Sequence, residues 1–228
     1  MQDIENHPGF PGHRDANFLI WKERINIAID AAKGLECLHN LCRPFILHRD
    51  LKTSNILLDK KKQAKLADFG LSRAVTESGP NSTNPAGTPG YMDPTFWNSG
   101  VLSRRTDIYS FGIILFELIT GKPVINEGGQ ESPVHILEWV GPLVDPRFEG
   151  EFNANAVWKM VNIANLCTQR DGDARPGISH ILAELKECLA IEMNPGTTCM
   201  TDSLMSASSN LPEEPPSDHG LQLAVIPW

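Results

Sequence analysis

The 228-residue sequence lacks several features that mark whole classes of proteins. It has no run of 18 apolar residues, so we predict no membrane-spanning helix and no insertion into a bilayer. The first six residues are polar and acidic, which argues against a secretory signal peptide. A formal net charge of −8 argues against nucleic acid as a partner, because nucleic-acid-binding proteins present a basic face.

Cysteine is also scarce, and its spacing matches no recognised framework. The five cysteines are Cys37, Cys42, Cys167, Cys188 and Cys199, and no two of them form a C-x-x-C pair. An odd number of scattered cysteines is not typical of a disulfide-stapled protein. We therefore interpret them as reduced thiols of a cytosolic protein and expect no zinc site.

The composition is that of a folded domain with a polar end. Hydrophobic residues make up 41% and charged residues 21%, an ordinary globular balance. At this length we expect one domain, or one domain plus a tail. Two Pro-Gly breaks predict a flexible leader over residues 1–17, and residues 193–228 predict a disordered tail rich in Ser, Thr and Pro. The folded domain would then span residues 18–192.

Within that domain the hydrophobic pattern predicts mainly helices. Apolar residues recur at helical spacing over residues 18–40, and two amphipathic stripes follow over residues 157–167 and 178–189. Two short β-like runs lie at 45–47 and 56–58, and residues 64–67 form the return strand of a hairpin. A helix that is apolar nearly all round starts near Ser103 or Thr106 and stops at Gly121, so it should lie in the middle of the core. The predicted fold class is α+β, predominantly α.

Two motifs lie around the predicted hairpin. Residues 48–55 read His-Arg-Asp-Leu-Lys-Thr-Ser-Asn, and residues 68–70 read Asp-Phe-Gly. They match, in order and in strand–loop–strand context, the catalytic loop H-R-D-L-x-x-x-N and the metal-binding triplet of protein kinases. Residues 31–39, 66–73, 86–91 and 106–112 further resemble the cytoplasmic kinase domains of plant receptor-like kinases, in particular leucine-rich-repeat receptors with malectin-like ectodomains. The resemblance covers roughly residues 21–192 and corresponds to a helical kinase C-lobe with one small β-hairpin.

The resemblance implies a cytoplasmic Ser/Thr protein kinase that uses ATP and Mg²⁺ and acts on protein substrates. Asp50 would accept the proton of the substrate hydroxyl, while Asn55 and Asp68 would hold Mg²⁺. Lys52 resembles the lysine that touches the transferred phosphate in Ser/Thr kinases, which favours Ser or Thr over Tyr as the acceptor. The alternative is that these polar residues only cap loop backbone.

The same resemblance gives further residues regulatory or structural roles. Arg49 would pair with a phosphate on the activation loop. Thr88 resembles the threonine that contacts the catalytic loop and shapes the substrate pocket. Asp107 resembles a buried helix aspartate that hydrogen-bonds the catalytic-loop backbone, although it could be a plain carboxylate at a helix N-terminus. The full set is His48, Arg49, Phe69, Gly70, Thr88, Asp107 and Arg175. The candidate phosphorylation sites, each otherwise a bare hydroxyl, are Ser78, Ser82, Thr83 and Thr88.

The sequence departs from the family pattern in two places. Relatives carry Pro-Glu where this chain has Pro94-Thr95, and that glutamate normally pairs with a buried arginine, here Arg175. Either Arg175 is therefore exposed or another group meets it, because an unpaired buried charge is costly. No G-x-G-x-x-G and no V-A-I-K segment precedes His48, so we expect an absent N-terminal β-lobe and weak nucleotide binding.

Three hypotheses follow from these motifs and departures. The first is a Ser/Thr kinase by family, weakly active or inactive as this chain. The second is a non-catalytic module that binds a partner kinase or a protein substrate. The third is an unstable product without a function, since an apolar face left uncovered is an aggregation liability.

Overall fold

The computed structural model describes residues 2–3, 18–76, 82–126, 134–135, 144–148 and 150–194. Most of the predicted leader, loop residues 77–81 and the predicted tail from residue 195 onward lie outside the described residues. Among the helices of the described ranges, none is both long enough and apolar enough to cross a bilayer.

Helices make up most of the regular structure, as the sequence predicts. A π-helical turn, Cys37–Leu41, directly continues the first helix, and short 3₁₀ turns occur at Thr53–Asn55, Pro146–Phe148 and Gly172–Ala174. The α-helices of the described residues are α1 (Trp21–Glu36), α2 (Pro94–Ser99), α3 (Arg104–Thr120), α4 (Ala154–Cys167) and α5 (Ile178–Glu192).

The strands are short and form three small antiparallel sheets in the described part of the chain. They are β1 (Gln2–Asp3), β2 (Phe45–Leu47), β3 (Ile56–Leu58), β4 (Ala64–Leu66), β5 (Arg73–Val75), β6 (Ile125–Asn126) and β7 (Val134–His135). The predicted hairpin is β3–β4, with β1 on its edge. In addition β2 pairs with β5, and β6 pairs with β7. The predominantly α, α+β class is confirmed, with more small sheets than the single predicted hairpin.

Helix α3 forms the centre of the core. Ser103 is its N-cap, and its Oγ accepts a hydrogen bond from the Arg105 backbone N at 3.2 Å. Every residue from 106 to 120 is buried, because α3 packs against α4 and α1, and α5 packs against α1 and α4. The close approach of α3 to α4 depends on Gly112, where an added Cβ would lie 2.6 Å from Cys167 Cβ. The helix therefore offers a fixed platform for the loops at its N-terminal end.

A buried ion pair ties α1 to the segment after β7. Arg24 is fully buried, and its Nη2 donates to Asp145 Oδ2 at 2.6 Å. Burial lowers the pKa of Arg24 to about 10, although the charge of Asp145 opposes that shift. Burial alone would raise the pKa of Asp145, but hydrogen bonds from Arg147 and the charge of Arg24 outweigh it and hold the pKa below its ordinary value.

Helix α1 also positions the hairpin that leads to the Asp-Phe-Gly triplet. An added Cβ at Gly34 would lie 3.1 Å from the side chain of Leu66. Close packing at this glycine holds β4 against the helix. Since β4 ends at Leu66, two residues before Asp68, this contact sets the position of the triplet.

Candidate functional site

Asp107 on α3 fixes the backbone at the start of the 48–55 loop. Its carboxylate is 1% exposed and accepts hydrogen bonds from the backbone N atoms of His48 and Arg49, both at 2.9 Å. His39 Nε2 donates to Asp107 Oδ2 at 2.8 Å. Three donors on one buried carboxylate make a strong, charge-assisted anchor. The loop is thus held by the rigid end of the central helix.

Three side chains of the candidate site, those of Thr88, Asn55 and Lys52, converge on Asp50. Thr88 Oγ1 donates to Asp50 Oδ1 at 2.6 Å, and Asn55 Nδ2 donates to Asp50 Oδ2 at 3.3 Å and to the Asp50 carbonyl at 2.8 Å. Lys52 Nζ lies 3.3 Å from Asp50 Oδ2 and donates to Thr88 Oγ1 at 3.0 Å. The side chain of Asp50 is only 11% exposed. The arrangement presents one oriented carboxylate beside one ammonium group.

Asn55 and Asp68 supply oxygen ligands suited to Mg²⁺. Both hydrogen bonds of the Asn55 amide N go to Asp50, and its side-chain oxygen accepts none among the described residues. Asp68 is exposed, and of its carboxylate oxygens only Oδ1 accepts a hydrogen bond among the described residues, from Gly70 N at 3.2 Å. Mg²⁺ prefers hard oxygen ligands and is commonly held by one or two carboxylates together with substrate phosphates. The donor set fits Mg-ATP.

Two contacts bind the loop to the segment that carries Asp68. The backbone N of Ala67 donates to the Asn55 carbonyl at 2.9 Å, and His48 Nε2 donates to the Ala67 carbonyl at 3.0 Å. The ring of His48 also packs against Phe69, with centroids 5.1 Å apart. Phe69 remains 46% exposed. The structure therefore brings His48 of the loop together with Phe69, whereas the described contact of Gly70 is with Asp68.

Arg49 lies in a strained and electropositive position. Its φ is 71°, a region that non-glycine residues rarely occupy. Its buried Nε has no hydrogen-bond partner among the described residues, and its Nη atoms reach only the carbonyls of Leu71 at 3.3 Å and Asn84 at 3.4 Å. Burial and the charge of nearby Arg73 lower the pKa of Arg49, whereas Asp107 raises it. Two cations this close favour an anion between them.

The candidate phosphorylation sites differ in their surroundings. Ser82 is exposed and forms an isolated bridge with Val101, while Thr83 is half-buried and its backbone N donates to the Gly100 carbonyl at 3.0 Å. Thr88 is already committed to Asp50. Ser78 lies outside the described residues.

Arg175 is buried, and Asp93 meets its charge. The guanidinium is 1% exposed, with Nη1 2.6 Å from Asp93 Oδ2 and Nη2 2.7 Å from Asp93 Oδ1. Thr95, at the position of the family glutamate, is a weaker partner, with its Oγ1 3.4 Å from Arg175 Nη2. Asp93 also caps α2 by accepting a hydrogen bond from Thr95 N. Arg175 is therefore not exposed, and Asp93 meets its charge in place of the glutamate found in relatives.

A buried network that was not predicted from the sequence joins three parts of the site. Glu117 on α3 is 1% exposed and accepts hydrogen bonds from the Tyr91 hydroxyl at 2.6 Å and the Thr53 hydroxyl at 3.1 Å. Its other oxygen accepts the backbone N of Val124 at 2.7 Å. A lone carboxylate within an otherwise apolar helix is a signal for such a network, since a buried charge needs partners.

The sequence also matches known proteins. Residues 14–185 match the model of the protein kinase domain. The chain is similar to the LRR receptor-like serine/threonine-protein kinase IOS1 of Arabidopsis thaliana, 44% identical over 92% of this chain and 24% of that protein. It is also similar to the probable LRR receptor-like serine/threonine-protein kinase PAM74 of the same plant, 43% identical over 83% and 22%. The chain spans about a quarter of the length of these relatives.

Proposed function

Because the chain belongs to the protein kinase family, we propose that it catalyses ATP-dependent phosphoryl transfer to Ser and Thr residues of proteins. The observation that carries the proposal is the cluster of Lys52, Asn55 and Thr88 around the carboxylate of Asp50. Phosphoryl transfer needs positioning and charge neutralisation more than covalent chemistry. The fixed carboxylate of Asp50 provides the positioning. Lys52, together with Mg²⁺ held by the oxygen ligands Asn55 and Asp68, would provide the neutralising charge.

Each residue of the cluster has a distinct task in this proposal. Asp50 accepts the proton of the substrate hydroxyl. Hydrogen bonds from Thr88 and Asn55 fix the orientation of the Asp50 carboxylate. Lys52 neutralises negative charge that builds up beside Asp50 during transfer. Asn55 and Asp68 hold Mg²⁺, and the bound Mg-ATP supplies the phosphoryl group. Asp107 positions the loop and touches no substrate.

The surroundings of Asp50 support Ser or Thr as the acceptor. Lys52 Nζ and Thr88 Oγ1 both lie within 3.3 Å of its carboxylate and close it on two sides. Lys52 also resembles the lysine that touches the transferred phosphate in Ser/Thr kinases, which favours Ser or Thr over Tyr as the acceptor.

The surroundings of Arg49 support regulation by loop phosphorylation. A phosphate between Arg49 and Arg73 would satisfy the buried Nε and relieve the repulsion between the two guanidinium groups. Ser82 and Thr83 lie two residues and one residue, respectively, before Asn84, whose carbonyl Arg49 already touches. Phosphorylation of Thr88 would instead place a second negative group against Asp50, so we assign it an inhibitory effect.

We further propose that this 228-residue polypeptide by itself is a weak enzyme. Its sequence contains no G-x-G-x-x-G and no V-A-I-K segment, so phosphate ligands on this chain come from one side of the nucleotide. A second function, binding to another kinase or to a substrate without catalysis, is favoured by the exposure of Phe69 (46%) and Leu71 (39%) beside the site. Apolar side chains exposed next to a binding cleft are typical of contact surfaces.

A transfer assay with three peptides tests the proposal. The peptides differ only in carrying Ser, Thr or Tyr as the acceptor, and ATP labelled at its γ-phosphate is the donor. We expect slow transfer to the Ser and Thr peptides and none to the Tyr peptide. Asp50→Asn should lower the rate by about 10²–10⁴-fold, the usual contribution of a general base.

Asp173→Asn is the matched control, because this aspartate is exposed and distant from the loop in sequence. It should leave the rate unchanged. An Asp50→Asn variant that keeps the parent rate would contradict the proposed role of Asp50. A folded protein that transfers no phosphate to any peptide would favour the second function.

A further inference from the structure

The π-helical turn after α1 carries a cysteine at its start and another directly after its end. Cys42 N donates to the Cys37 carbonyl at 3.0 Å, which closes an i→i+5 turn. In an α-helix of 3.6 residues per turn, side chains five residues apart point about 140° away from each other around the axis. The wider turn instead places Cys42 about one full turn above Cys37. The two side chains consequently lie on the same side of the helix.

The two thiols interact in this arrangement. Partial burial, and then the charge of and a hydrogen bond with the Cys37 thiol, raise the pKa of the Cys42 thiol. The nearby charge of Arg43 acts in the opposite direction. Arg43 folds back over the turn, with its Nη1 2.9 Å from the carbonyls of Asn40 and Cys42. Arg43 therefore offsets part of the rise, because a nearby cation favours the thiolate.

Accessibility separates this pair from the other described cysteines. Cys37 is exposed and Cys42 is half-buried, so small molecules in solution reach the pair. Cys167 and Cys188 are buried in the core. Burial raises the pKa of Cys188 to about 12 and that of Cys167 also far above its ordinary value. Thiols in such surroundings are inert at neutral pH.

We propose that Cys37 and Cys42 form a reversible disulfide with each other when the chain meets a small disulfide oxidant such as glutathione disulfide. The exposed Cys37 thiolate attacks the oxidant, forms a mixed disulfide and expels one glutathione thiolate. Cys42 then loses its proton, attacks the Cys37 sulfur and expels the second glutathione thiolate. Two protein thiols become one disulfide, while the oxidant is reduced to two glutathione thiols that take up the two protons.

The position of this disulfide links it to the catalytic loop. His39 lies inside the π turn and donates to Asp107, which holds the backbone of His48 and Arg49. A bond between Cys37 and Cys42 closes the turn that carries His39. Because the bond is exposed, it belongs to the labile, reducible class rather than to structural disulfides.

Mass spectrometry of one tryptic peptide tests the proposal. Trypsin cuts after Lys33 and after Arg49 but not at the Arg43-Pro44 bond, so peptide 34–49 holds both cysteines and no other. The native full chain is treated with glutathione disulfide, its remaining thiols are alkylated after unfolding, and the digest is analysed without reduction. We expect peptide 34–49 to be about 2 Da lighter than its dithiol form and to carry no alkyl group.

Single variants and an unfolded sample complete the experiment. Cys37→Ser and Cys42→Ser should each leave one thiol that stops at the mixed disulfide with glutathione. In concentrated urea the internal bond should form at least about tenfold more slowly, because the fold no longer holds the thiols together. The proposal is overturned if the native peptide carries two alkyl groups or two glutathiones, if Cys37 is linked to Cys199, or if the rates with and without urea are equal.

Discussion

The pairing of Arg175 with Asp93 gives a sharp test of how this chain compensates for Thr95. Asp93→Asn keeps the hydrogen-bonding shape and a good N-cap for α2, so it removes little except the negative charge. The guanidinium of Arg175 would then be buried without a counter-ion, since it is 1% exposed. Breaking a buried pair by removing one partner costs about 3–5 kcal/mol. At about 2–4 °C per kcal/mol for a chain of this size, Tm should fall by about 6–20 °C.

Restoring a carboxylate at position 95 should rescue the Asp93→Asn variant. Thr95 Oγ1 already lies 3.4 Å from Arg175 Nη2, so a glutamate there reaches the guanidinium. In a thermal melt we expect Thr95→Glu to recover at least half of the lost Tm, and the matched Thr95→Gln to recover little. Equal rescue by Glu and Gln, or an Asp93→Asn variant that melts with the parent, would refute the assignment of Asp93 as the counter-ion.

Two further predictions concern the core and the buried ion pair. Gly112→Ala should lower the free energy of unfolding, measured by urea titration, by about 1–3 kcal/mol, because the added Cβ would lie 2.6 Å from Cys167 Cβ. The control Ala183→Gly, on the exposed surface of α5, should lower it by no more than about 1 kcal/mol. The folded-state pKa of Asp145 lies below its ordinary value, so its stabilising effect is present above about pH 4 and is lost as the pH falls through the folded pKa. The difference in free energy of unfolding between the parent and Asp145→Asn should therefore shrink as the pH is lowered from 6 into the acidic range. A difference that grows would contradict a stabilising ion pair between Arg24 and Asp145.

The helices could be predicted from the sequence because they rest on local periodicity. The stripe of Val157, Met160 and Val161 is buried on α4 as its spacing indicates, and the apolar surface of α3 predicted its central place. The order of the two motifs around the β3–β4 hairpin likewise placed Asp50, Asn55 and Asp68 near one another. These are short-range features, which a sequence displays directly.

The contacts that could not be predicted are mostly long-range. Strands β2 and β5 have three residues each, too few to show an alternating pattern, and they pair across the whole catalytic loop. The hydrogen bond of the π turn after α1 spans five residues instead of the four of an α-helix. A segment of five residues is too short for hydrophobic periodicity to show this difference. The sequence showed that Arg175 had lost its usual partner, but not that Asp93, 82 residues away, replaces it.

A titration with Mg-ATP tests most directly whether these residues form a nucleotide site. At about ten times Kd, a ligand stabilises the folded state by about 1.4 kcal/mol, which is a rise in Tm of about 3–6 °C for this size. We expect that rise with millimolar Mg-ATP for the parent chain, and its loss in Asp68→Asn, whose exposed side chain should leave the unliganded Tm unchanged. A cooperative melt with no shift for the parent, or an equal shift in Asp68→Asn, would contradict the role of Asn55 and Asp68 as ligands of the Mg²⁺ in Mg-ATP.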